Sequence, residues 1–260
     1  MATHERETVM SVVKGALVVT GASRGIGAAV ARMAGRHGYR VCVNFLTSRE
    51  AAEAVVADIT GSGGEAIAVQ ADTSREDDVE RLFQAVDRQL GPLTALVNNA
   101  GVLFRQSRLD QIDAGRLERV LAVNVVGYFL CARHAVLRMS TTYGGAGGAI
   151  VNVSSAASRL GSPGEYVDYA ASKGAVDTLT TGLAVEVAAE GIRVNGVRPG
   201  FIHTGIHASG GDPDRVARLQ HNLPMGRGGQ PGEVAEAILW LLSPQASYVT
   251  GSFIDLAGGR

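Results

Sequence analysis

The sequence predicts a single doubly wound α/β domain, a parallel sheet of about seven strands with helices on both faces. Three observations predict it. Short runs that are apolar on both faces alternate with stretches of helical period almost throughout the chain, the signature of a parallel sheet covered on both sides. A glycine-rich turn follows the first of these runs and opens the first helix. The 260 residues, 46% hydrophobic and 19% charged, suit one sizeable core, with no internal repeat and no linker.

The elements follow in order. Residues 1–13 carry Glu5, Arg6 and Glu7, lack a signal-peptide core and read as a frayed leader, with Met10 as an alternative start. The domain is expected over 14–260. Strands are expected over 16–19, 40–45, 65–70, 93–98, 149–153, 192–197 and 252–255. Helices are expected over 25–37, 49–60, 75–90, 113–139, 167–189 and 231–242, where apolar residues recur at helical spacing. The stretch 201–229 reads as one long loop, and loops of that length in compact domains are usually lids or binding loops.

Composition narrows the function. The formal net charge of −1 offers no basic surface for nucleic acid. No apolar stretch reads as membrane-spanning. Cys42 and Cys131 each lie inside an apolar run and read as buried free thiols, which fits a reducing, cytoplasmic compartment. His203 and His207 stand in the long loop without a carboxylate or cysteine cluster, so no metal site is expected.

Three stretches carry chemistry. Gly21, Gly25 and Gly27 give a GxxxGxG spacing at a strand-to-helix turn, where the backbone can approach a pyrophosphate and the helix N-terminus offers free N–H groups. Gly27 also suits helix–strand packing alone. The second strand ends in Asn44 and Phe45 with no carboxylate to hold a ribose 2′-hydroxyl, while Arg24 lies in the loop and Ser48 and Arg49 follow. That combination suits the 2′-phosphate of NADP(H) over NAD(H). Asn98, Asn99, Ala100 and Gly101 end the fourth strand, where a ligand or a side-chain-stabilised turn would both fit. Finally, Tyr169 and Lys173 stand at i and i+4 of a helical stretch and should share a face. A cation there favours phenolate and lowers the tyrosine pKa.

These segments, with Ser154 and Ser155 at a strand end, resemble the short-chain dehydrogenase/reductase family in order and spacing, over nearly the whole chain. Arg198, Pro199 and Gly200 look like the family's Pro-Gly turn beside the nicotinamide, and Val249 to Gly259 like its C-terminal ending. The resemblance implies a Rossmann-type fold and a catalytic set of Asn124, Ser155, Tyr169 and Lys173. Tyr169 would be the general acid/base, and Lys173 would bind the nicotinamide ribose and lower the Tyr169 pKa. Ser155 would hydrogen-bond the substrate oxygen, and Asn124 would hold a water linking Lys173 to solvent. For the cofactor the resemblance implies Gly21, Ser23, Arg24, Gly25, Ile26, Gly27, Phe45, Asp72, Thr73, Asn98, Ala100, Gly101, Tyr169, Lys173, Pro199, Gly200, Ile202 and Thr204, with Asp72 at the adenine and Ile202 and Thr204 at the nicotinamide amide. Asp72 would equally cap the following helix.

Two departures stand out. The family's serine usually precedes the tyrosine by thirteen residues, whereas Ser155 precedes Tyr169 by fourteen and Ser154 by fifteen. Ser155 with a one-residue insertion in 158–168 is the expected arrangement. Tyr166 is a rival tyrosine, but its spacing to Lys173 is poorer. The expected activity is NADP(H)-dependent hydride transfer to or from a small-molecule carbonyl or alcohol, by a homotetramer or homodimer. The alternatives are a cofactor-sensing binding protein on the same fold and an epimerase or dehydratase. A P-loop hydrolase fails because no Gly-Lys-Ser/Thr follows the glycine loop.

Overall fold

A computed structural model describes residues 14–260; the leader expected over 1–13 lies outside the described residues. Seven parallel strands form one sheet: β1 (Ala16–Val19), β2 (Arg40–Phe45), β3 (Glu65–Gln70), β4 (Leu93–Asn98), β5 (Gly148–Val153), β6 (Ile192–Pro199) and β7 (Phe253–Leu256). Their spatial order is β3-β2-β1-β4-β5-β6-β7. The chain therefore winds outward one way from β1 and, after crossing back, outward the other way from β4. Both β2 and β4 pair with β1, so their connections leave in opposite directions at the carboxyl ends. That divergence opens a crevice, the place where doubly wound sheets bind ligands.

Burial explains the strand composition. All four residues of β1 are buried, as are most of β4, β5 and β6. Only strands covered on both faces can be so uniformly apolar. On one face α1 (Gly25–Arg36), α2 (Arg49–Gly61) and α10 (Pro231–Leu242) pack against Leu17, Val19, Val41 and Val151. On the other, α3 (Glu76–Gln89), α5 (Gly127–Met139) and α7 (Val167–Val187) cover Val18, Leu96, Ile150 and Val194. Helix starts are built locally. Asp113 accepts a hydrogen bond from Arg116 N at 2.7 Å to begin α4 (Ala114–Leu121), and Gln230 with Glu233 forms a capping box around Pro231 at the start of α10.

The helix expected over 113–139 is continuous but not uniform. Between α4 and α5 lies a turn of π-helix, Ala122–Val126, with Asn124 buried in it. The extra residue per turn carries Asn124 inward, where its amide bonds both Val102 N (2.8 Å) and Val102 O (3.1 Å). This helical run also corrects the reading that no stretch is long and apolar enough to span a membrane: Ala114–Met139 contains a window of mean hydropathy 1.7. Its apolarity has a use inside the fold, since Val120, Val123, Tyr128, Cys131, Ala135 and Met139 are buried. The segment 201–229 is likewise not a plain loop; it folds into α8 (Ile206–Ser209), α9 (Arg215–Leu219) and a 3-10 turn, Gln220–Asn222.

A buried ion pair anchors the start of α7. Arg116 on α4 donates to Asp168 through Nε (2.7 Å) and Nη2 (3.0 Å), and to Arg105 O through Nη1 (2.7 Å). The Asp168 side chain is 2% exposed. Removing one partner of such a pair leaves a charge uncompensated, at a cost of about 3–5 kcal/mol. Arg116→Met is expected to lower stability by that amount in urea unfolding, and Arg116→Met with Asp168→Leu to recover part of it; equal stability of the single variant and wild type would contradict the assignment.

Candidate active site

The carboxyl ends of β1, β4, β5 and β6 surround a cavity of about 730 Å³. At its β1 end the glycine turn is held from beneath by neighbouring strands. Gly21 N donates to Asn44 Oδ1 (3.1 Å), and Ala22 N donates to Asn44 O (2.8 Å). Thr20 Oγ1 accepts from Asn99 N (2.9 Å) and Ala100 N (3.0 Å), while Asn99 Nδ2 donates to Thr20 O (2.8 Å) and Gly21 O (3.1 Å). Gly21 has φ +61°, and a Cβ there would stand 2.9 Å from Ala100 Cα, so only glycine fits. Arg24 begins α1 without a side-chain cap. The first N–H groups of α1 are thus left for a ligand, as a phosphate site requires. Gly21, Ser23, Arg24, Gly25 and Ile26 line the cavity.

Gly27 does not line it. Its would-be Cβ meets Gly21 O at 2.6 Å and Asn99 Nδ2 at 2.5 Å, so this glycine serves the close approach of α1 to the turn. Phe45, Leu46, Thr47 and Ser48 form the wall after β2, and none is acidic. Arg24 is exposed and forms no ion pair among the described residues. Arg49, by contrast, is engaged with Gln70 Oε1 (3.3 Å) and Glu53 (3.5 Å) and lies over the Phe45 ring.

Asp72 and Thr73 line the next stretch of wall. Burial pushes the Asp72 carboxyl up, but hydrogen bonds from Ser74 Oγ (2.6 Å) and Ser74 N (3.0 Å), with the Arg119 guanidinium, outweigh it and hold it below the usual range. Its oxygens are therefore engaged within the protein, in a turn that leads into α3. Asn98 is a correction. Its Nδ2 donates to Asn152 Oδ1 (3.0 Å) and Tyr128 O (3.3 Å), buried beneath the crevice. Strand alternation turns it toward α5 while Ala100 and Gly101 reach the cavity.

Ser155, Tyr169 and Lys173 come together at the floor. Ser155 follows β5 and accepts from Ala157 N at 3.1 Å, and its hydroxyl lies close enough to the Tyr169 phenol to draw that group's titration down. The neighbouring Ser154 is buried and donates to Lys173 O (3.2 Å), so its hydroxyl is engaged behind the wall. The segment between serine and tyrosine forms a short helix α6 (Ala157–Leu160). It then turns through left-handed Gly161 (φ +73°), Ser162 (φ +45°) and Gly164 (φ +72°). Tyr166 is buried, with its hydroxyl donating to Gly210 O (3.3 Å).

Lys173 is 3% exposed. Its Nζ donates to Val153 O (2.8 Å) and Tyr128 Oη (3.1 Å) and lies 5.7 Å from the Tyr169 ring centre. A Cβ at Gly101 would stand in ordinary contact with Asn124 Oδ1 (3.5 Å) and Lys173 Nζ (3.8 Å), so Gly101 lies beside both. Asn124 itself does not line the cavity; its Nδ2 also donates to Ser172 Oγ (3.1 Å). Burial dominates the titrations. It pushes Tyr169 up to about 12, against the Ser155 hydroxyl, and Lys173 down to about 7, against the Asp177 carboxylate. Burial thus outweighs the expected lowering of Tyr169 by Lys173, whose ammonium is hydrogen-bonded to Val153 and Tyr128.

Pro199, Gly200, Ile202 and Thr204 line the far wall, with Leu103, Leu160, Tyr166, Phe201 and Ile206 beyond them. Among the described residues no cluster of three potential metal ligands occurs. The sequence reading missed Asn44, whose buried amide also ties β2 to Ala71 O (3.1 Å), and Tyr128. A polar residue inside an otherwise apolar strand was the available signal for the first; nothing local marked the second.

The Lys173 shift has a stability consequence. Between pH 7 and 10 the unfolded chain binds a proton at this lysine that the folded chain has released, so wild-type stability gains from rising pH across that window. Lys173→Met removes the cost of burying the charge. The variant is expected to melt above wild type at pH 6, with the gap closing as pH rises through 7 toward 10. A gap independent of pH would contradict a buried, readily neutralised lysine.

Comparison with known proteins agrees with this geometry. A family model described as enoyl-(acyl carrier protein) reductase matches residues 21–260. The chain is 63% identical over 243 residues to the uncharacterized oxidoreductase YgfF of Escherichia coli K12, covering 94% of this chain and 98% of that one. It is 41% identical over 244 residues to 3beta-hydroxysteroid dehydrogenase 1 of Eggerthella lenta, covering 94% and 92%. The crystal structure of a short-chain type dehydrogenase/reductase from Mycobacterium marinum superposes with a TM-score of 0.88 at 34% identity, over 96% of this chain and 97% of that one. With the crevice, the glycine turn and the serine, tyrosine and lysine at its floor, these likenesses show that the chain belongs to the short-chain dehydrogenase/reductase family of oxidoreductases.

Proposed function

We propose that the protein transfers a hydride reversibly between NADP(H) and the carbonyl or secondary alcohol of a small molecule. The observation that carries this reading is that Ser155, Tyr169 and Lys173 line one cavity together at the crevice floor, with Lys173 one helical turn beyond the tyrosine. When bound, the reduced nicotinamide supplies the hydride. Every other task falls to the chain. Ser155 and Tyr169 form a pair of hydroxyl donors for one carbonyl oxygen, and Tyr169 yields its proton as negative charge develops there. In the alcohol-oxidising direction Tyr169 takes that proton back. Lys173 is placed to hold ribose hydroxyls and to favour the phenolate. Asn124 keeps one Oδ1 lone pair beside Gly101 for a water that connects the lysine to solvent.

The preference for NADP(H) over NAD(H) is supported by the absence of a carboxylate from Asn44 to Ser48 and by the exposed Arg24 at the same corner. The substrate end mixes apolar side chains such as Leu103, Leu160, Phe201 and Ile206 with polar ones such as Glu165, His207 and Arg215, which suits an organic carbonyl compound without naming one. Exposed Val126, Phe129 and Leu137 on the run before β5 and Val185 on α7 support self-association through these helices, as a homotetramer or homodimer. The unbridged thiols of Cys42 and Cys131 support a reducing, cytoplasmic location.

The test is consumption of NADPH and NADH over a panel of ketones, aldehydes, steroids, sugars and quinones. Tyr169→Phe is expected to lower kcat by about 10²–10⁴-fold while leaving NADPH binding and the far-ultraviolet circular dichroism intact. A variant that keeps most of its turnover would remove Tyr169 from the chemistry. Arg24→Ala is expected to raise the KM for NADPH roughly tenfold or more and to leave that for NADH unchanged. An equal effect on both cofactors would contradict 2′-phosphate recognition.

A further inference from the structure

Lys173 carries a second tyrosine that the four-residue catalytic set does not include. Tyr128 stands one turn after Asn124, where the π-helical turn gives way to α5. It is among the largest fully buried side chains. Its Oη accepts from Lys173 Nζ at 3.1 Å and donates to Val153 O at 3.0 Å, and Lys173 Nζ donates to that same carbonyl at 2.8 Å. The ammonium also lies 4.8 Å from the centre of the Tyr128 ring, within reach of a cation–π attraction. Three groups on three elements, β5, α5 and α7, thus close one hydrogen-bonded triangle. Val153 is the last residue of β5, two before Ser155, so the triangle pins the strand end that presents the serine.

We propose that Tyr128 is a positioning residue: its phenol oxygen, set between the Lys173 ammonium and the Val153 carbonyl, fixes where the ammonium sits beneath Tyr169. This rests on the reading of Tyr169 and Lys173 as the reacting pair. Burial alone draws Lys173 toward neutrality, to about 7. Two uncharged acceptors, the Tyr128 oxygen and the Val153 carbonyl, hold the charged form by hydrogen bonds. The other groups that bear on Lys173 are few. Asp177, one turn further along α7, favours the ammonium but is engaged by Arg198 of β6 at 3.0 Å. Tyr169 on α7 faces Lys173 through its ring, and Asn124 on the π-helical turn approaches it across Gly101. Tyr128 is pushed well up by burial and by its proximity to Tyr169, so it stays a neutral phenol that can accept from the lysine and donate to the carbonyl at once.

The chain makes a direct test simple, because only Lys14 and Lys173 among its 24 Lys and Arg residues are lysines. With lysine labelled by carbon-13 at Cε, two resonances report two titrations, and Lys173→Met identifies the one that belongs to Lys14. Tyr128→Phe keeps the ring and deletes the oxygen. The expected result is a Lys173 midpoint lower by about one pH unit, roughly fivefold less ammonium at pH 7, with Lys14 unmoved. The high-pH limb of kcat moves the same way, which a loss of packing alone would not produce. An unchanged Lys173 midpoint would overturn the proposal. Should Tyr128→Phe fail to fold, the wild-type chain labelled at tyrosine Cζ serves instead. A second tyrosine signal, besides the one lost in Tyr169→Phe, must move through the Lys173 midpoint, and its absence would overturn the proposal equally. Neither resonance requires turnover. A wild-type enzyme without carbonyl reductase activity would sink the reaction but not the positioning, and a fixed midpoint in an active enzyme would do the reverse.

Discussion

The structure depends on the point where β1 and β4, paired in one sheet, send their chains apart. A parallel sheet leaves backbone groups unsatisfied where its strands part, and such groups cannot stay buried and unpaired. Short polar side chains take them up. The Thr20 hydroxyl accepts from Asn99 N and Ala100 N, the Asn99 amide donates to Thr20 O and Gly21 O, and the Asn44 amide accepts from Gly21 N. These bonds hold the glycine turn in one shape from below, which leaves the N–H groups of the first turn of α1 directed outward. The proposed phosphate site is therefore a consequence of how the fold closes its own seam, with Gly21 and Gly27 allowing the close approaches the seam demands.

The opposite end of the crevice obeys a different constraint, the burial of an ammonium. Lys173 has no carboxylate bonded to it among the described residues. It is stabilised by a main-chain carbonyl, a phenol and two aromatic faces. Such an arrangement costs stability and leaves the charge readily lost, which is useless for packing and useful for proton chemistry near neutral pH. The same triangle of contacts fixes the end of β5, so the serine, tyrosine and lysine are positioned by one small polar cluster inside an otherwise apolar core. Buried polar clusters of this kind rigidify a site when every member is paired. The segment 201–229 adds a further tie: Arg215 of α9 bonds Glu165 beside Tyr166 and lies over the Tyr166 and Phe201 rings, joining two parts of the cavity wall.

The fold was legible because its signal is repeated. Both-faced apolar runs at 16–19, 93–98 and 149–153 can only be central parallel strands, and the helical periods between them leave little choice of topology. Tyr169 and Lys173 were legible because i and i+4 share a helix face, and Gly21 because a positive φ beside Ala100 excludes other residues. What was not legible depends on which way a side chain turns. Asn98 and Asn99 are identical neighbours in sequence, yet the first faces α5 and the second the glycine turn. Ser154 and Ser155 differ likewise, one bonded behind the wall and one facing Tyr169. Tyr128 gave no sign, because its contact with Lys173 spans 45 residues and depends on the π-helical turn that sets its direction. The titration of Tyr169 escapes the sequence for a related reason: spacing says that a cation is near, and only the packing shows that burial outweighs it.

The central claim is that this cavity directs a hydride from a nicotinamide to a carbonyl carbon while Tyr169 supplies the proton. It is tested most directly by following the label in a single turnover with NADPH deuterated at both C4 positions, on a carbonyl compound the enzyme reduces. The expected result is one deuterium on the carbinol carbon of the product and none in the hydroxyl or the solvent. Deuterium retained entirely on the cofactor, or washed into water, would contradict hydride transfer and with it the roles assigned to Ser155, Tyr169 and Lys173.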